Sequence, residues 1–190
     1  MKEIALHLLD IVQNSVTAGA AHVDIRFDLD EKGVLAMTVR DDGKGMSPEL
    51  LQRVTSPFAT TRTTRKVGLG IPMMMENAEK AGGTLRLQSE EGKGTEMTVT
   101  MDRKNIDCLP LGDLSGTILS LILTNPMKPE FLFEGKTPKG ECTFDTREVR
   151  AALGSDIPLN EPEVAAWLQE ALKEEMDPIF GGVTENEIFG

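Results

Sequence analysis

Three short polar side chains form one stripe on an otherwise apolar segment near the N-terminus. Asp10, Asn14 and Thr17 recur at i, i+4 and i+7, which places them on one side of a helix. The stripe contains no Lys or Glu, residues that are common on solvated faces. An Asn amide oxygen is a hard ligand suited to Mg2+, and a carboxylate one turn earlier can orient or deprotonate a water. The pattern predicts side chains that position a bound group, with a solvated face as the alternative.

A second candidate is the acidic, glycine-rich run Asp41-Asp42-Gly43-Lys44-Gly45, which is followed by Met46. Glycines two residues apart let the backbone approach a flat ligand, and a fixed carboxylate can accept a hydrogen bond from an exocyclic amine such as that of adenine. A simple acidic turn and a calcium loop are the alternatives. A calcium loop needs alternating acidic positions before its glycine and a later Glu, and this run lacks that pattern.

A basic, threonine-rich segment leads to a third glycine motif. Residues 56–67 hold three cations and four threonines, a composition suited to covering phosphates, with a plain surface loop as the alternative. Gly68-Leu69-Gly70 opens a predicted helix over residues 71–81, whose N-terminal amides can face an anion. A lone Gly-x-Gly motif is weak evidence for a binding site, and it becomes informative here because it follows the two earlier motifs in order.

The hydrophobic pattern predicts the elements that would position these motifs. Apolar residues at three- and four-residue spacing predict a helix over residues 2–18, closed by Gly19 in a left-handed cap. Alternation of apolar and polar residues predicts a hairpin and, later, two more strands. The predicted strands cover residues 23–29, 35–39, 84–89 and 95–101, and a short helix covers residues 47–53.

Taken in order, the motifs resemble those of a known superfamily. Residues 1–102 are similar to the ATP-binding domain shared by DNA gyrase, the heat-shock 90 chaperones, histidine kinases and the MutL mismatch-repair ATPases, which is the GHKL superfamily with its Bergerat fold. Residues 10–18 resemble its N box, 41–45 its D-x-G-x-G box, 57–62 the F box of kinases, 68–70 the second glycine box and 92–95 the last Gly-Thr motif. The resemblance implies a two-layer α+β sandwich that binds ATP and Mg2+.

The resemblance also implies a role for each motif residue. Asn14 would coordinate Mg2+ between the phosphates, and Asp41 would bind the adenine amine. Gly43 and Gly45 would shape the adenine pocket, and Thr95 would help to hold the base. Met46, directly after this motif, is a further nucleotide-binding candidate. The remaining nucleotide-binding candidates lie in or beside the lid: Thr60, Thr61, Arg62, Lys66, Gly68, Leu69 and Gly70.

Two departures from the superfamily pattern bear on catalysis. Asp10, the candidate catalytic residue, stands where hydrolysing members typically carry Glu. Asp is shorter by one methylene, and a loss of about 1 Å of reach can cost ~100-fold in rate, so slow hydrolysis is expected. Thr17 stands where gyrase-like members often carry Asp, which favours the kinase side of the superfamily.

Composition argues against several classes of partner. A net charge of −11 and a pI near 4.7 disfavour nucleic acid and anionic membranes. No apolar run approaches a membrane span, and Glu3, His7 and Asp10 stand where a signal peptide would be apolar, so a cytoplasmic protein is expected. Cys108 and Cys142 are isolated, and neither a zinc site nor a disulfide framework is indicated.

The chain is predicted to divide into an ATP-binding domain at residues 1–103 and a small α+β unit at residues 104–190. In the second unit, helices are expected over residues 114–123, 146–153 and 161–176, and hairpin strands over 130–134 and 141–144. The last helix has a predicted apolar face formed by Val164, Trp167, Leu168, Ala171 and Leu172. We recognise no family for this half.

Four functional hypotheses follow. No phosphoaccepting histidine segment is identified beside the N box, so the first is a kinase that acts in trans on a separate protein partner. The second is a conformational switch that hydrolyses ATP slowly and holds a client. The third is a non-catalytic nucleotide sensor, and the fourth is an acidic α+β protein with accidental motifs. A homodimer is compatible with each of them.

Overall fold

The computed structural model of the chain describes residues 2–55 and 70–181, which form six helices and one six-stranded mixed sheet. The helices are α1 (Ile4–Thr17), α2 (Pro48–Thr55), α3 (Gly70–Lys80), α4 (Leu114–Thr124), α5 (Thr146–Leu153) and α6 (Pro162–Phe180). The strands are β1 (His22–Leu29), β2 (Val34–Asp41), β3 (Thr84–Glu90), β4 (Gly94–Asp102), β5 (Glu130–Thr137) and β6 (Gly140–Asp145).

The strands lie in the order β3-β4-β2-β1-β5-β6 across the sheet. Alternate residues of β1, β2 and β5 are buried and the residues between them are at least partly exposed, so one face of the sheet packs on helices. In the helix layer, α1 contacts α3 and α4, and α4 in turn contacts α6. The predicted two-layer α+β sandwich is confirmed.

β1 and β2 form the predicted hairpin, in which Val23 lies opposite Asp41. The turn is held by Asp30, whose Oδ1 accepts hydrogen bonds from the backbone N–H groups of Lys32 and Val34 at 2.9 and 2.8 Å. Asp side chains stabilise turns by such local bonds to the backbone. The hairpin brings Asp41, the last residue of β2, back to the level of the C-terminal end of α1.

The C-terminal half continues the sheet of the N-terminal half. β5 pairs parallel with β1, so that His22 lies opposite Glu130 and Asp28 opposite Lys136. Parallel neighbours need a crossover connection, and here α4 lies between β4 and β5 in the chain. β6 then pairs antiparallel with β5. Residues after 103 therefore share one sheet with the first half, and the domain boundary at residue 103 stays a prediction.

Three phenylalanines fix the two halves to each other. Phe27 of β1, Phe133 of β5 and Phe180 at the end of α6 have ring centroids 6.1 to 6.2 Å apart. This spacing is typical of favourable aromatic pairs in a core. Gly135 makes room for the cluster, because a Cβ atom at that position would lie 2.5 Å from Cε2 of Phe180. The end of α6 is thereby held against β1 and β5.

α6 differs from the predicted helix in length and in its buried face. It continues to Phe180, four residues past the predicted end at residue 176. Its buried residues are Leu168, Leu172, Met176, Ile179 and Phe180. Trp167 is 52% exposed, so the prediction that it lies on the buried face is wrong. The reason is geometric. Neighbouring residues are about 100° apart around a helix, so when Leu168 faces the core, the side chain of Trp167 points about 100° away from that direction.

His7 joins α1 to α3 inside the core. Its side chain is fully buried, and its Nε2 lies 3.0 Å from Nδ2 of Asn77 on α3. Its Nδ1 has no hydrogen-bond partner in the part of the chain that the structure describes. Burial lowers the pKa of His7, and the N-terminal charge lowers it further, although Asp10 acts in the opposite direction. His7 is therefore neutral in the folded protein at neutral pH.

We expect His7 to make stability fall in mild acid. Because the folded-state pKa lies below the ordinary value, the unfolded chain binds the proton first, and folding stability is lost as the pH falls below about 6.5. His7→Leu removes this loss. The free energy of unfolding of the wild type minus that of the variant should therefore decrease between about pH 8 and about pH 5 in urea titrations. A difference that does not change with pH would contradict a neutral, buried His7.

Candidate functional site

The carboxylate of Asp41 is fixed by two donors at the end of β2. Ser15 of α1 donates its hydroxyl hydrogen to Oδ2 of Asp41 at 2.6 Å, and the backbone N–H of Gly43 donates to Oδ1 at 2.9 Å. Ser15 and Asp41 are both buried. A buried carboxylate with both oxygens hydrogen-bonded keeps one orientation, and its remaining lone pairs can accept from a ligand.

Ser15 is absent from the residues predicted for the site. The signal was in the sequence, because Ser15 follows Asn14 and lies four residues after Ile11, at a position where the helix pattern calls for an apolar side chain. A small polar residue on a buried helix face needs a hydrogen-bond partner. The sequence does not say that this partner is Asp41, which lies 26 positions away.

Asn14 lies beside Ser15 and is half-buried. Its Nδ2 is buried and has no hydrogen-bond partner among the described residues. An unpaired buried amide costs about 1–3 kcal/mol, so such a group is an expected contact point for a ligand or a water. Thr17, the third residue of the predicted stripe, donates to the backbone oxygen of Gln13 at 2.8 Å.

The glycines of the Asp41–Gly45 loop are required by packing against the protein itself. A Cβ atom on Gly43 would lie 2.9 Å from Cβ of Ala18. Gly45 has φ +65°, and a Cβ atom there would lie 2.0 Å from the backbone oxygen of Glu90. The loop is thus pressed between the end of α1 and the β3–β4 turn, which holds the backbone after Asp41 in place.

Thr95 lies directly opposite Asp41, on β4. Its Oγ1 is 2.8 Å from Oγ of Ser89, which also accepts a hydrogen bond from the backbone N–H of Met46 at 2.8 Å. Ser89 therefore connects the base of the loop to Thr95. Ser89, like Ser15, is absent from the residues predicted for the site, and it supports Met46 and Thr95 from outside the cavity.

Most of these residues line a cavity of about 530 Å3, whereas Gly43 and Ser89 are not part of its lining. Its polar members include Asn14, Ser15, Asp41 and Thr95, and Gly45 and Met46 belong to its wall. The other apolar side chains in the lining are Ile11, Ala18, Val39, Leu50, Ile71, Leu87 and Met97. A largely apolar cavity with a few fixed polar groups is the usual form of a small-molecule site.

Two cations, Lys44 and Arg53, also line the cavity. Both are exposed, and neither forms an ion pair within residues 2–55 and 70–181. Arg53 lies on α2 and was not predicted as a site residue. Unpaired cations at the rim of a cavity in a protein of net charge −11 provide a local attraction for an anion.

Asp10 and Gly70 lie against each other beside the cavity. A Cβ atom on Gly70 would be 3.0 Å from Cβ of Asp10, so α3 begins in contact with α1 at this residue. The next residue of each helix, Ile11 and Ile71, lines the cavity, whereas Asp10 itself is exposed. The structure thus brings Asn14, Asp41 and Thr95 together and leaves Asp10 at the margin.

Asp42, the neighbouring carboxylate, has a structural role. Its Oδ1 accepts from the backbone N–H groups of Ala21 and His22 at 2.7 and 2.9 Å, and its Oδ2 lies 2.9 Å from Nδ1 of His22. Burial raises the pKa of Asp42, but the hydrogen bonds from His22 and Ala21 outweigh it and the pKa is lowered overall. Both carboxylate oxygens of Asp42 therefore hold the backbone and side chain at the start of β1.

Six predicted lid residues lie outside the described part of the chain: Thr60, Thr61, Arg62, Lys66, Gly68 and Leu69. Their roles stay predictions. Within the described ranges, no group of three or more His, Cys, Asp or Glu side chains could hold a metal ion, and no helix is long and apolar enough to cross a membrane.

Comparison with known proteins identifies the class. Residues 2–105, more than half of the chain, match the family described as "Histidine kinase-, DNA gyrase B-, and HSP90-like ATPase". The chain belongs to this family, which confirms the predicted histidine-kinase-like domain.

Several relatives of the chain are bacterial kinases. Sensor histidine kinase ZraS of Salmonella typhimurium is 32% identical over 94 residues, which are 48% of this chain and 20% of the kinase. Sporulation kinase E of Bacillus subtilis is 32% identical over 102 residues, 53% of this chain and 13% of that kinase. Among solved structures, the N-terminal domain of a DNA repair protein has a TM-score of 0.49 at 15% identity, covering 76% of this chain and 52% of that one. The chain thus spans a fifth or less of the length of these kinases.

We expect Ser15→Ala to destabilise the protein by about 1–3 kcal/mol, because Oδ2 of the buried Asp41 carboxylate loses its donor. The free energy of unfolding in urea measures this change. Ser120→Ala is the matched control, since Ser120 is exposed on α4 and its replacement should change stability by no more than about 0.5 kcal/mol. Equal effects of the two substitutions would show that the Ser15–Asp41 bond contributes no stability of its own.

Proposed function

We propose that the chain binds Mg-ATP in the cavity between α1, β2 and β4 and transfers phosphate to a separate protein partner. The observation that carries the proposal is the fixed carboxylate of Asp41, which is held by Ser15 and Gly43 at the wall of a largely apolar cavity. An aromatic base with an exocyclic amine is the ligand that such a carboxylate and such walls suit best.

In this proposal each part of the cavity has one task. Asp41 accepts a hydrogen bond from the exocyclic amine of adenine, and Thr95 on the opposite strand supports the same edge of the base. The apolar side chains around them, such as Val39 and Met97, contact the faces of the ring. Lys44 and Arg53 at the rim attract the phosphates.

Asn14 supplies the protein's contact to Mg2+. Its amide oxygen would be the ligand, on a side chain that lines the cavity. A single protein ligand fits this ion, because Mg2+ keeps several waters and is usually bound through substrate phosphates as well. When bound, Mg2+ neutralises charge on the transferring phosphoryl group.

The short side chain of Asp10 favours phosphotransfer or nucleotide sensing over rapid hydrolysis. Asp10 is exposed and abuts Gly70, and it is not part of the cavity lining. Asp is one methylene shorter than the Glu typical of hydrolysing members of the superfamily, which reduces its reach to a water beside the terminal phosphate. The alternative function is therefore a non-catalytic nucleotide-binding module with regulatory consequences.

We expect Asn14→Ala to abolish the Mg2+-dependent part of ATP binding, because the only proposed protein ligand of the ion is removed. Calorimetric titration with ATP, with and without Mg2+, measures this. Gln13→Ala is the control, since Gln13 is exposed and adjacent on the same helix. If ATP binding by Asn14→Ala depends on Mg2+ as in the wild type, Asn14 does not bind the ion.

The fate of the terminal phosphate separates the proposed activities. We expect purified protein without a partner to release phosphate slowly from Mg-ATP, and Asp10→Asn to leave ATP affinity intact. Transfer of label from ATP to an added partner would support a kinase, and partner-independent release that is lost in Asp10→Asn would support an ATPase. Binding with neither outcome would support the sensor.

A further inference from the structure

The solvent-facing side of α6 carries a stripe that the fold does not use. Glu163, Trp167, Glu170 and Glu174 recur at i, i+4, i+7 and i+11, so they lie on one side of the helix. We call these four residues the α6 stripe. All four are exposed, and they lie opposite the buried face that begins at Leu168 and Leu172.

Within the described residues, Trp167 is not part of the hydrophobic core. It is 52% exposed, while the core below α6 is filled by Leu168, Leu172 and Met176. A Trp side chain can bury roughly 150–250 Å2 of surface. Trp is also enriched among the residues that contribute most of the binding energy at protein interfaces. A half-exposed Trp in the middle of a helix face is therefore better explained by a contact outside the chain.

The charges of the α6 stripe are also unpaired. In the described chain, none of Glu163, Glu170 and Glu174 forms an ion pair. α6 as a whole has five carboxylates against one Lys. This surface attracts cations and repels phosphates, so it suits neither nucleic acid nor an anionic membrane. It also repels the same stripe on a second copy of the chain.

We propose that the α6 stripe is the docking surface for a Lys- and Arg-bearing segment of a partner protein. The carboxylates pair with the cations of that segment, and the indole of Trp167 stacks against an Arg guanidinium or a Lys ammonium group. α6 packs on α4, β5 and β6, whereas the cavity is lined by α1, α2, α3, β2, β3 and β4. The partner therefore binds without covering the cavity, and the proposal stands independently of the nucleotide chemistry.

The chain has one Trp and no Tyr, so its intrinsic fluorescence reports on the α6 stripe directly. The probe is a short peptide of alternating Arg and Ala, with the matching Glu and Ala peptide as its counterpart. We expect the basic peptide to change Trp167 emission in a saturable manner and the acidic peptide to leave it unchanged. No saturable change with the basic peptide would overturn the proposal.

Variants distinguish the stripe from the general negative charge of the protein. With fluorescein-labelled basic peptide and anisotropy as the readout, Trp167→Ala and the pair Glu170→Gln with Glu174→Gln should each weaken binding about tenfold. The matched control is Glu31→Gln with Glu79→Gln, which removes the same charge from exposed positions elsewhere and should change affinity less than about twofold. Equal losses in the stripe and control pairs would overturn the proposal.

Two further measurements test the choice of occupant. Sedimentation should show the same mass for the wild type and Trp167→Ala, and a dimer that is lost in the variant would assign the stripe to a second copy instead. Asn14→Ala should bind the basic peptide as the wild type does, because Asn14 lies in the cavity. Loss of peptide binding in that variant would contradict the independence of the two surfaces.

Discussion

The hydrogen bond between Ser15 and Asp41 is the interaction on which the arrangement of the site depends. A buried carboxylate must be hydrogen-bonded, and here one donor comes from α1 and the other from the loop that follows β2. These two hydrogen bonds join α1, β2 and the loop after β2. Asn14 precedes Ser15 on α1, and Thr95 lies opposite Asp41 on β4. Both site residues therefore lie next to a residue that forms this hydrogen bond.

The cavity and the α6 stripe lie toward opposite ends of one sheet. β4 and β2 line the cavity, and β5 and β6 support α6, with β1 between the two sets. Phe27, Phe133 and Phe180 join the second set to β1. The residues that match the family and the residues that follow them therefore share one core, although each has its own candidate surface.

Structural features that depend on a local residue pattern could be predicted from the sequence. Features that depend on contacts between distant residues could not. Periodicity predicted α1 and the β1–β2 hairpin, and the motif order predicted the family. The sequence could not show that β5 adds to β1, because parallel pairing across a long crossover leaves no turn signal. Trp167 was misplaced because its hydrophobicity suggests burial while its angle on α6 prevents it. Ser15 was missed because its partner is remote in sequence.

The pairing of β1 with β5 has a consequence for how the chain folds. Arg26 and Glu134, which are joined across these strands, are 108 positions apart, so this part of the sheet closes a long loop and is entropically slow to form. Until β5 arrives, one edge of β1 presents unpaired backbone groups, which is a template for association with other chains. During synthesis, the completed β1–β2 hairpin therefore has an open strand edge until β5, which ends at Thr137, has been made.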